Sequence, residues 1–469
     1  METKTRIERD SMGEMEVPAD AYYGASTMRA VQNFPISGIR FPRRFIWALG
    51  LIKKSASEVN RELGLLEDRL AAAIAQAAGE VADGKLDDEF PLDIYQTGSG
   101  TSTNTNANEV IANRAGELLS GNRGERLVHP NDHVNKCQSS NDVIPSAIQL
   151  SAAAAINEEL LPALSRLAGE LEAKSKEFWP VVKTGRTHLQ DATPIRLGQE
   201  FLGYAGQVRA SERRLQAALD ELLSVPLGGT AVGTGINAHP RFAALVCERL
   251  SGATGLRVKE SEDHFWAQAT LDALVAAHGA LRTTAVSLWK IASDIRLMGC
   301  GPVAGIGEIG LPAVQPGSSI MPGKVNPVIV ESLTMAVARV LGNDLTVTLC
   351  GQSGSYFELN VMMPVAGYAT LESISLLAAS ASNFARQCVS GIEVTERATQ
   401  LLERQPMLAT ALTPKIGYDE AAKLAKEALT SGRTVRELAR DRGLQDGELD
   451  DLLDLQKMTE PGLGGIGAG

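Results

Sequence analysis

The chain has 469 residues, 44% of them apolar, and a formal net charge of −11. That is enough apolar surface to bury a sizeable core, which excludes a disordered chain. The acidic balance excludes the broad basic surface that duplex binding uses, so an anionic ligand must be held by a few local donors.

At roughly 150 residues per domain the length suggests three domains or one large elongated unit. Only 4% of residues are aromatic while Ala and Leu abound, the balance of packed helices rather than β-sandwiches. The charged opening Met1-Glu2-Thr3-Lys4-Thr5-Arg6 leads into no apolar run, so no signal peptide is expected. No run of about 18 apolar residues suggests a membrane span. Cys137, Cys247, Cys300, Cys350 and Cys388 form no CxxC pair. Their odd number fits a reducing compartment, and a cytoplasmic location is expected.

Residues 1–138 read as an N-terminal mixed domain, with helical stretches around 43–83 and 105–120 and a loop over 121–132. Residues 139–393 carry long helical patterns and read as a central bundle. Ile156, Leu160, Leu164, Leu167 and Leu171 recur every three or four residues, which is one face of a helix. From Leu271, the series Leu274, His278, Leu281, Ala285, Leu288, Ala292 and Ile295 follows a 3.5-residue seam, as in bundled helices. The Ala-rich stretch 269–292 lets several helices approach and points to an oligomer core. Residues 394–469 read as a small C-terminal helical domain, with helices over Tyr418–Leu429 and near Thr434–Arg440. The last residues, from Pro461, are too Gly-rich to order themselves and are expected to fray.

Two motifs imitate nucleotide sites. Gly305-Ile306-Gly307-Glu308-Ile309-Gly310 matches GxGxxG but runs into Leu311-Pro312 rather than a helix, so a pyrophosphate has no helix N-terminus to sit on. Gly317 to Lys324 spaces its glycines wrongly for a phosphate loop and continues with Val325 instead of Ser or Thr. His129 and His133 stand four apart, but Pro130 and Asp132 between them indicate a turn and no third ligand is evident. His278, on the seam, reads as a hydrogen-bonded core histidine. No metal and no cofactor are expected.

Four other segments are dense in small polar residues. Gln96–Asn106 supplies free backbone N–H groups, hydroxyls and amides suited to a carboxylate. Cys137-Gln138-Ser139-Ser140-Asn141-Asp142 precedes the long helices, where Ser140, Asn141 or Asp142 would cap a helix N-terminus that favours an anion. Gly185-Arg186-Thr187-His188-Leu189-Gln190 carries one imidazole, the side chain that exchanges protons near neutral pH. Gly317-Ser318-Ser319-Ile320-Met321-Pro322-Gly323-Lys324-Val325-Asn326-Pro327 is a loop able to close over an anion, leading to a helix with Glu331.

Together these segments resemble the fumarase/aspartase superfamily, and within it the class II fumarases, from Asp10 to about Lys426. Gly228-Gly229-Thr230-Ala231-Val232-Gly233-Thr234-Gly235 and Phe357-Glu358-Leu359-Asn360-Val361 belong to the same resemblance. It implies a mainly α, three-domain protomer whose central long helices build a twenty-helix homotetramer core, with each active site shared by three subunits. It also implies reversible hydration of fumarate to L-malate, a tricarboxylic acid cycle step, by metal-independent anti addition and elimination through an aci-carboxylate. Ser318 is then the base, and His188, oriented by Glu331, handles the proton on the water side. Ser99, Thr101, Ser139, Ser140, Asn141, Thr187, Ser319, Lys324 and Asn326 hold the substrate. A second dicarboxylate site maps to Arg126, His129, Asn131 and Asp132. The alternative on the same scaffold is an aspartate ammonia-lyase, which Tyr22-Tyr23-Gly24, Arg29-Ala30-Val31, Met362 and Pro364-Val365 resemble. His188, Ser140 and Ser99 stand where aspartases carry Gln, Thr and Ala, and favour the hydratase.

Overall fold

Alternation of half-buried and exposed side chains opens the chain as a hairpin. In the computed structural model, which describes residues 4–462, β1 (Thr5–Asp10) pairs antiparallel with β2 (Gly13–Pro18). The glycine-rich end beyond Gly462 lies outside the described residues. Helix α1 (Ala25–Asn33) follows, then α2 (Arg43–Glu62) and α3 (Asp68–Ala82). The expected single stretch over 43–83 is thus two helices, parted at Gly64, whose φ of +71° suits glycine. Gly50 lets them touch backbone to backbone: a Cβ there would lie 2.7 Å from the Ala82 nitrogen.

Long helices come next: α4 (Thr101–Ser120), α5 (Ser140–Ala155) and α6 (Leu161–Glu177), the last two joined by a π-helical turn at Ile156–Leu160. Ile156, Leu160, Leu164, Leu167 and Leu171 are all fully buried, as their spacing predicts. The chain then leaves the helical pattern for a hairpin, β3 (Val182–Thr187) and β4 (Gln190–Arg196), before α7 (Leu197–Leu222), α8 (Phe242–Thr254) and α9 (His264–Ala269). Three more long helices are α10 (Asp272–Met298), α11 (Val328–Gly354) and α12 (Met363–Gln387). Every residue of the 3.5-residue seam on α10 is buried.

Short helices finish the chain: α13 (Arg397–Glu403), α14 (Thr413–Ile416), α15 (Tyr418–Ser431), α16 (Val435–Asp441) and α17 (Asp446–Leu452). The two C-terminal helices expected from sequence are α15 and α16. Thr434 and Glu437 form a capping box that starts α16. Leu412, Leu424, Leu438 and Leu449 gather into one apolar cluster around them.

The chain divides into two compact units. One takes in the chain up to Pro162 with Ser211–Ala285 and Val337–Ala378; the other takes in Ala163–Ala210, Val286–Ala336 and the chain from Ala379 onward.

By length and mean hydropathy (1.2), α11 could cross a membrane, yet its polar groups are tied to neighbouring helices. Asp344 accepts from Nδ1 of His278 on α10 at 3.0 Å, and Asn343 donates to Glu372 on α12 at 2.7 Å. His278 Nε2 lies 3.0 Å from the Ser373 hydroxyl, so the seam histidine is a fully bonded core residue, with burial holding its pKa below the ordinary value. α11 thus packs one polar stripe against α10 and α12 while a third of its apolar window is buried.

Candidate active site

The segment Gln96–Asn106 does two jobs at once, loop and helix start. Gly100, at φ +70°, is the N-cap of α4, which begins at Thr101, four residues earlier than periodicity suggests. A Cβ on Gly98 would overlap the carbonyl oxygen of Val361, and Gly98 accepts a hydrogen bond from the Met363 N–H at 3.0 Å. Gly98→Ala is therefore expected to displace this loop. Overpacking of this kind costs about 1–3 kcal/mol, to be read as a lowered urea midpoint together with a raised KM.

The cap of α5 lies one residue earlier than expected. Ser139, not Ser140, Asn141 or Asp142, is the N-cap: its Oγ accepts from the Asn141 N–H at 3.2 Å, while Asp142 Oδ1 accepts from the Ser139 N–H at 2.9 Å. This reciprocal box frees Ser140 and Asn141 for other partners. Thr101 Oγ1 is 2.8 Å from both Ser99 Oγ and Ser140 Oγ, so the N-termini of α4 and α5 meet through a chain of three hydroxyls. Asn141 Nδ2 donates to the Ala231 carbonyl at 2.8 Å, which joins the glycine-rich loop 228–235 to the same place. Five of the expected site residues, Ser99, Thr101, Ser139, Ser140 and Asn141, therefore form one group of donors at two helix N-termini. Such a place favours a carboxylate.

Behind the donors lie two buried charges that sequence reading did not single out for the site. The other oxygen of Asp142 accepts from the Gly228 and Thr230 N–H groups, both at 3.0 Å, and its side chain is completely buried. Burial pushes its pKa up to about 6, against the pull of those N–H groups and of Lys53. Lys53, on α2, is also fully buried, and burial brings its ammonium down to about 7. Nothing in Lys53-Lys54 separates the buried lysine from its half-exposed neighbour except position on the helix face.

In the other unit, Thr187 and His188 sit at the tip of the β3–β4 hairpin. His188 (φ +55°) and Leu189 (φ +59°) are both left-handed, making the two-residue turn that Asn-Gly would ordinarily supply. Left-handed backbone at two non-glycine residues costs free energy that the surrounding structure must offset. The ring of His188 is exposed.

The hairpin is held from behind. Arg186 donates to both oxygens of Glu308, at 3.0 and 2.7 Å, and Lys183 lies 3.1 Å from Glu308 and 3.1 Å from Glu200. Glu308 belongs to the GxGxxG decoy. Its carboxylate is fully buried, and the Gly305–Gly310 segment opens no helix but carries this anchor.

The loop Gly317–Pro327 has no regular structure but is internally laced. Ser318 Oγ accepts from the Ile320 and Met321 N–H groups at 3.2 and 3.0 Å. Hydrogen bonds to an oxygen favour its ionised form, which is what a serine needs to act as a base. Gly317 donates to the Lys324 carbonyl at 2.9 Å and accepts from Asn326 Nδ2 at 2.6 Å, so the loop closes on itself. Ser319 and Lys324 are exposed. Glu331 is exposed in the first turn of α11, where the helix dipole favours a carboxylate. Among the described residues no hydrogen bond or ion pair joins His188 to Glu331 or Ser318 to Lys324.

At the expected second site, His129 Nδ1 accepts from the Asn131 and Asp132 N–H groups at 3.3 and 3.0 Å and caps the π-helical turn Pro130–Val134. The Asp132 carboxylate lies 3.2 Å from the same Nδ1. Arg126 is exposed and paired with Glu8 at 2.6 Å. Among the described residues, no group of three or more His, Cys, Asp or Glu side chains is placed to hold a metal ion.

Comparison with known proteins places these features in a family. A family model described as lyase matches residues 13–342, and one described as fumarase C C-terminus matches residues 408–460. The chain is 53% identical over 461 residues to fumarate hydratase class II 2 of Bradyrhizobium diazoefficiens, covering 98% of this chain and 97% of that one. It is 50% identical over 450 residues to the mitochondrial fumarate hydratase of Homo sapiens, covering 95% and 88%. Among solved structures it superposes on a class II fumarase from Schistosoma mansoni with a TM-score of 0.95, at 39% identity and coverage of 98% and 100%. The cobalt-bound fumarate lyase:delta crystallin from Brucella melitensis gives 0.94, at 46% identity and the same coverage. A lyase model over most of its length, relatives sharing half its residues and a shared mainly α fold establish that this chain is an enzyme of the class II fumarate hydratase family, within the fumarase/aspartase superfamily of lyases.

Proposed function

We propose that the protein interconverts fumarate and L-malate by anti addition and elimination of water without a metal ion, passing through an aci-carboxylate. The observation that carries this reading is the Ser99–Thr101–Ser140 hydroxyl chain at two helix N-termini, a neutral donor group of the kind that favours a carboxylate.

The proton lost from malate lies next to a carboxylate and is very weakly acidic. Its removal puts a second negative charge on that carboxylate, so positive charge and oriented donors must gather there. Lys324 and Asn326 supply them, with Ser319 beside them on the same loop. Ser318 takes the carbon-bound proton, its oxyanion supported by the Ile320 and Met321 N–H groups. His188, oriented by Glu331, passes a proton to the departing hydroxyl, and Thr187 binds beside it. Ser99, Thr101, Ser139, Ser140 and Asn141 hold one of the substrate's carboxylates. Arg126, His129, Asn131 and Asp132 form a separate dicarboxylate site, for which the ligand must draw Arg126 away from Glu8.

The working form is a homotetramer in which three subunits complete each site. Leu202 on α7, Val286, Trp289 and Leu297 on α10, and Met335, Leu345 and Leu349 on α11 support this, for all are exposed apolar side chains on the long helices. Apolar surface on that scale marks a protein interface.

Purified protein treated with a chelator should raise the ultraviolet absorbance of the fumarate double bond when given L-malate, at the rate of untreated protein. Ammonia release from aspartate with no response to malate would replace this reading by the aspartase one. A rate lost to the chelator and restored by a divalent metal would refute metal independence.

A further inference from the structure

Lys53 is a buried lysine that, among the described residues, has no carboxylate in direct contact. Its Nζ donates to two neutral amide oxygens, Asn135 Oδ1 at 2.9 Å and Gln138 Oε1 at 3.0 Å. A lysine held this way forfeits hydration, which only specific bonds offset. Those bonds lead to the donor group. Asn135 Oδ1 also accepts from Asn104 and Asn108, both at 3.2 Å and both on α4, the helix that starts at Thr101. The amide of Asn135 donates to the carbonyl of Gln138 at 3.0 Å, and Gln138 directly precedes Ser139, the cap of α5. On the far side of Ser139–Asn141, Asp142 supplies the compensating negative charge and binds the loop 228–235.

We infer that Lys53 is a positioning residue for substrate binding: through Asn135 and Gln138 it fixes the start of α5 against α4, so that Ser99, Thr101, Ser139, Ser140 and Asn141 converge on one substrate carboxylate. This rests on the proposed role of those five residues. Lys53 touches no substrate and takes no part in proton transfer. Its loss therefore weakens binding of the dicarboxylate while leaving the chemistry of bound substrate largely intact, since Ser318, His188 and Lys324 lie on other segments.

The test is a double-mutant cycle on the full-length enzyme, with Lys53→Met, Gln138→Met and the pair, each checked for wild-type oligomeric mass and assayed with L-malate. Lys53→Met should raise KM at least tenfold with kcat within threefold of wild type, and weaken inhibition by succinate in parallel. Gln138→Met should raise KM by a smaller factor, and the double variant should be no worse than Lys53→Met alone, because both act on one contact. Unchanged KM in Lys53→Met, a fall in kcat at constant KM, or multiplicative effects in the double variant would each overturn the inference. Should Lys53→Met not fold, Gln138→Met decides alone: a raised KM with kcat kept supports the positioning role, and an unchanged KM ends it. Wild-type protein inactive on malate would instead refute the underlying functional reading.

Discussion

Replacing His188 by Asn is expected to lower kcat for L-malate by about 10²–10⁴-fold, the range that a positioned general acid or base contributes, while KM moves only a few-fold. Asn is the informative choice because His188 stands at φ +55°, a left-handed conformation that Asn tolerates better than most residues. The hairpin tip then keeps its shape, and a loss of turnover reports the imidazole rather than a collapsed turn. Binding of a competitive dicarboxylate to His188→Asn should stay within a few-fold of wild type, because the imidazole is not among the groups proposed to hold the carboxylates. Turnover equal to wild type would remove His188 from the mechanism. Equal losses in kcat and in inhibitor binding would make it a binding residue.

The contrast between what the sequence displays and what the fold adds follows from the range of the signals. The 3.5-residue seam of α10 and the leucine stripe from Ile156 to Leu171 declare themselves because periodicity is local, and every one of those residues is buried. Donor-rich segments were equally visible, since Ser, Thr, Asn and Gly cluster at caps and turns for local reasons. The β3–β4 hairpin was not. His188-Leu189 lacks the Asn-Gly signature, and its left-handed turn is imposed by surroundings rather than by its own preferences. The cap falls at Ser139 because Asp142 closes a local box with it, while the other Asp142 oxygen is held by the N–H groups of Gly228 and Thr230, more than eighty residues away in sequence. Lys53 and Glu308 are invisible for the same reason: a charged residue in a helix or a glycine-rich stretch reads as surface until its burial is known. Those two buried charges lie behind the two separate groups of proposed site residues.

Glu308→Gln is expected to be the most destabilising of these changes. The cluster Lys183, Arg186, Glu200 and Glu308 balances two positive against two negative side chains, with Lys183 and Glu308 almost wholly buried. Glutamine keeps the shape but offers a single acceptor, turns its amide N–H₂ toward a cation, and leaves one net positive charge in the interior. Removing one partner of a buried pair costs about 3–5 kcal/mol, which should appear as a lower urea midpoint with an unchanged slope. Glu200 is already paired with Lys183 at 3.1 Å, and burial pushes its pKa up against that pull. The double variant Arg186→Met, Glu308→Met separates charge balance from geometry. It leaves Lys183 paired with Glu200 and no uncompensated charge, so much of the lost stability should return. Turnover should not return with it, because the two bonds from Arg186 to Glu308 hold the strand immediately before Thr187 and His188. Recovery of both stability and turnover would mean that the cluster serves the fold alone. Recovery of neither would mean that packing around Glu308, rather than its charge, is what the hairpin requires.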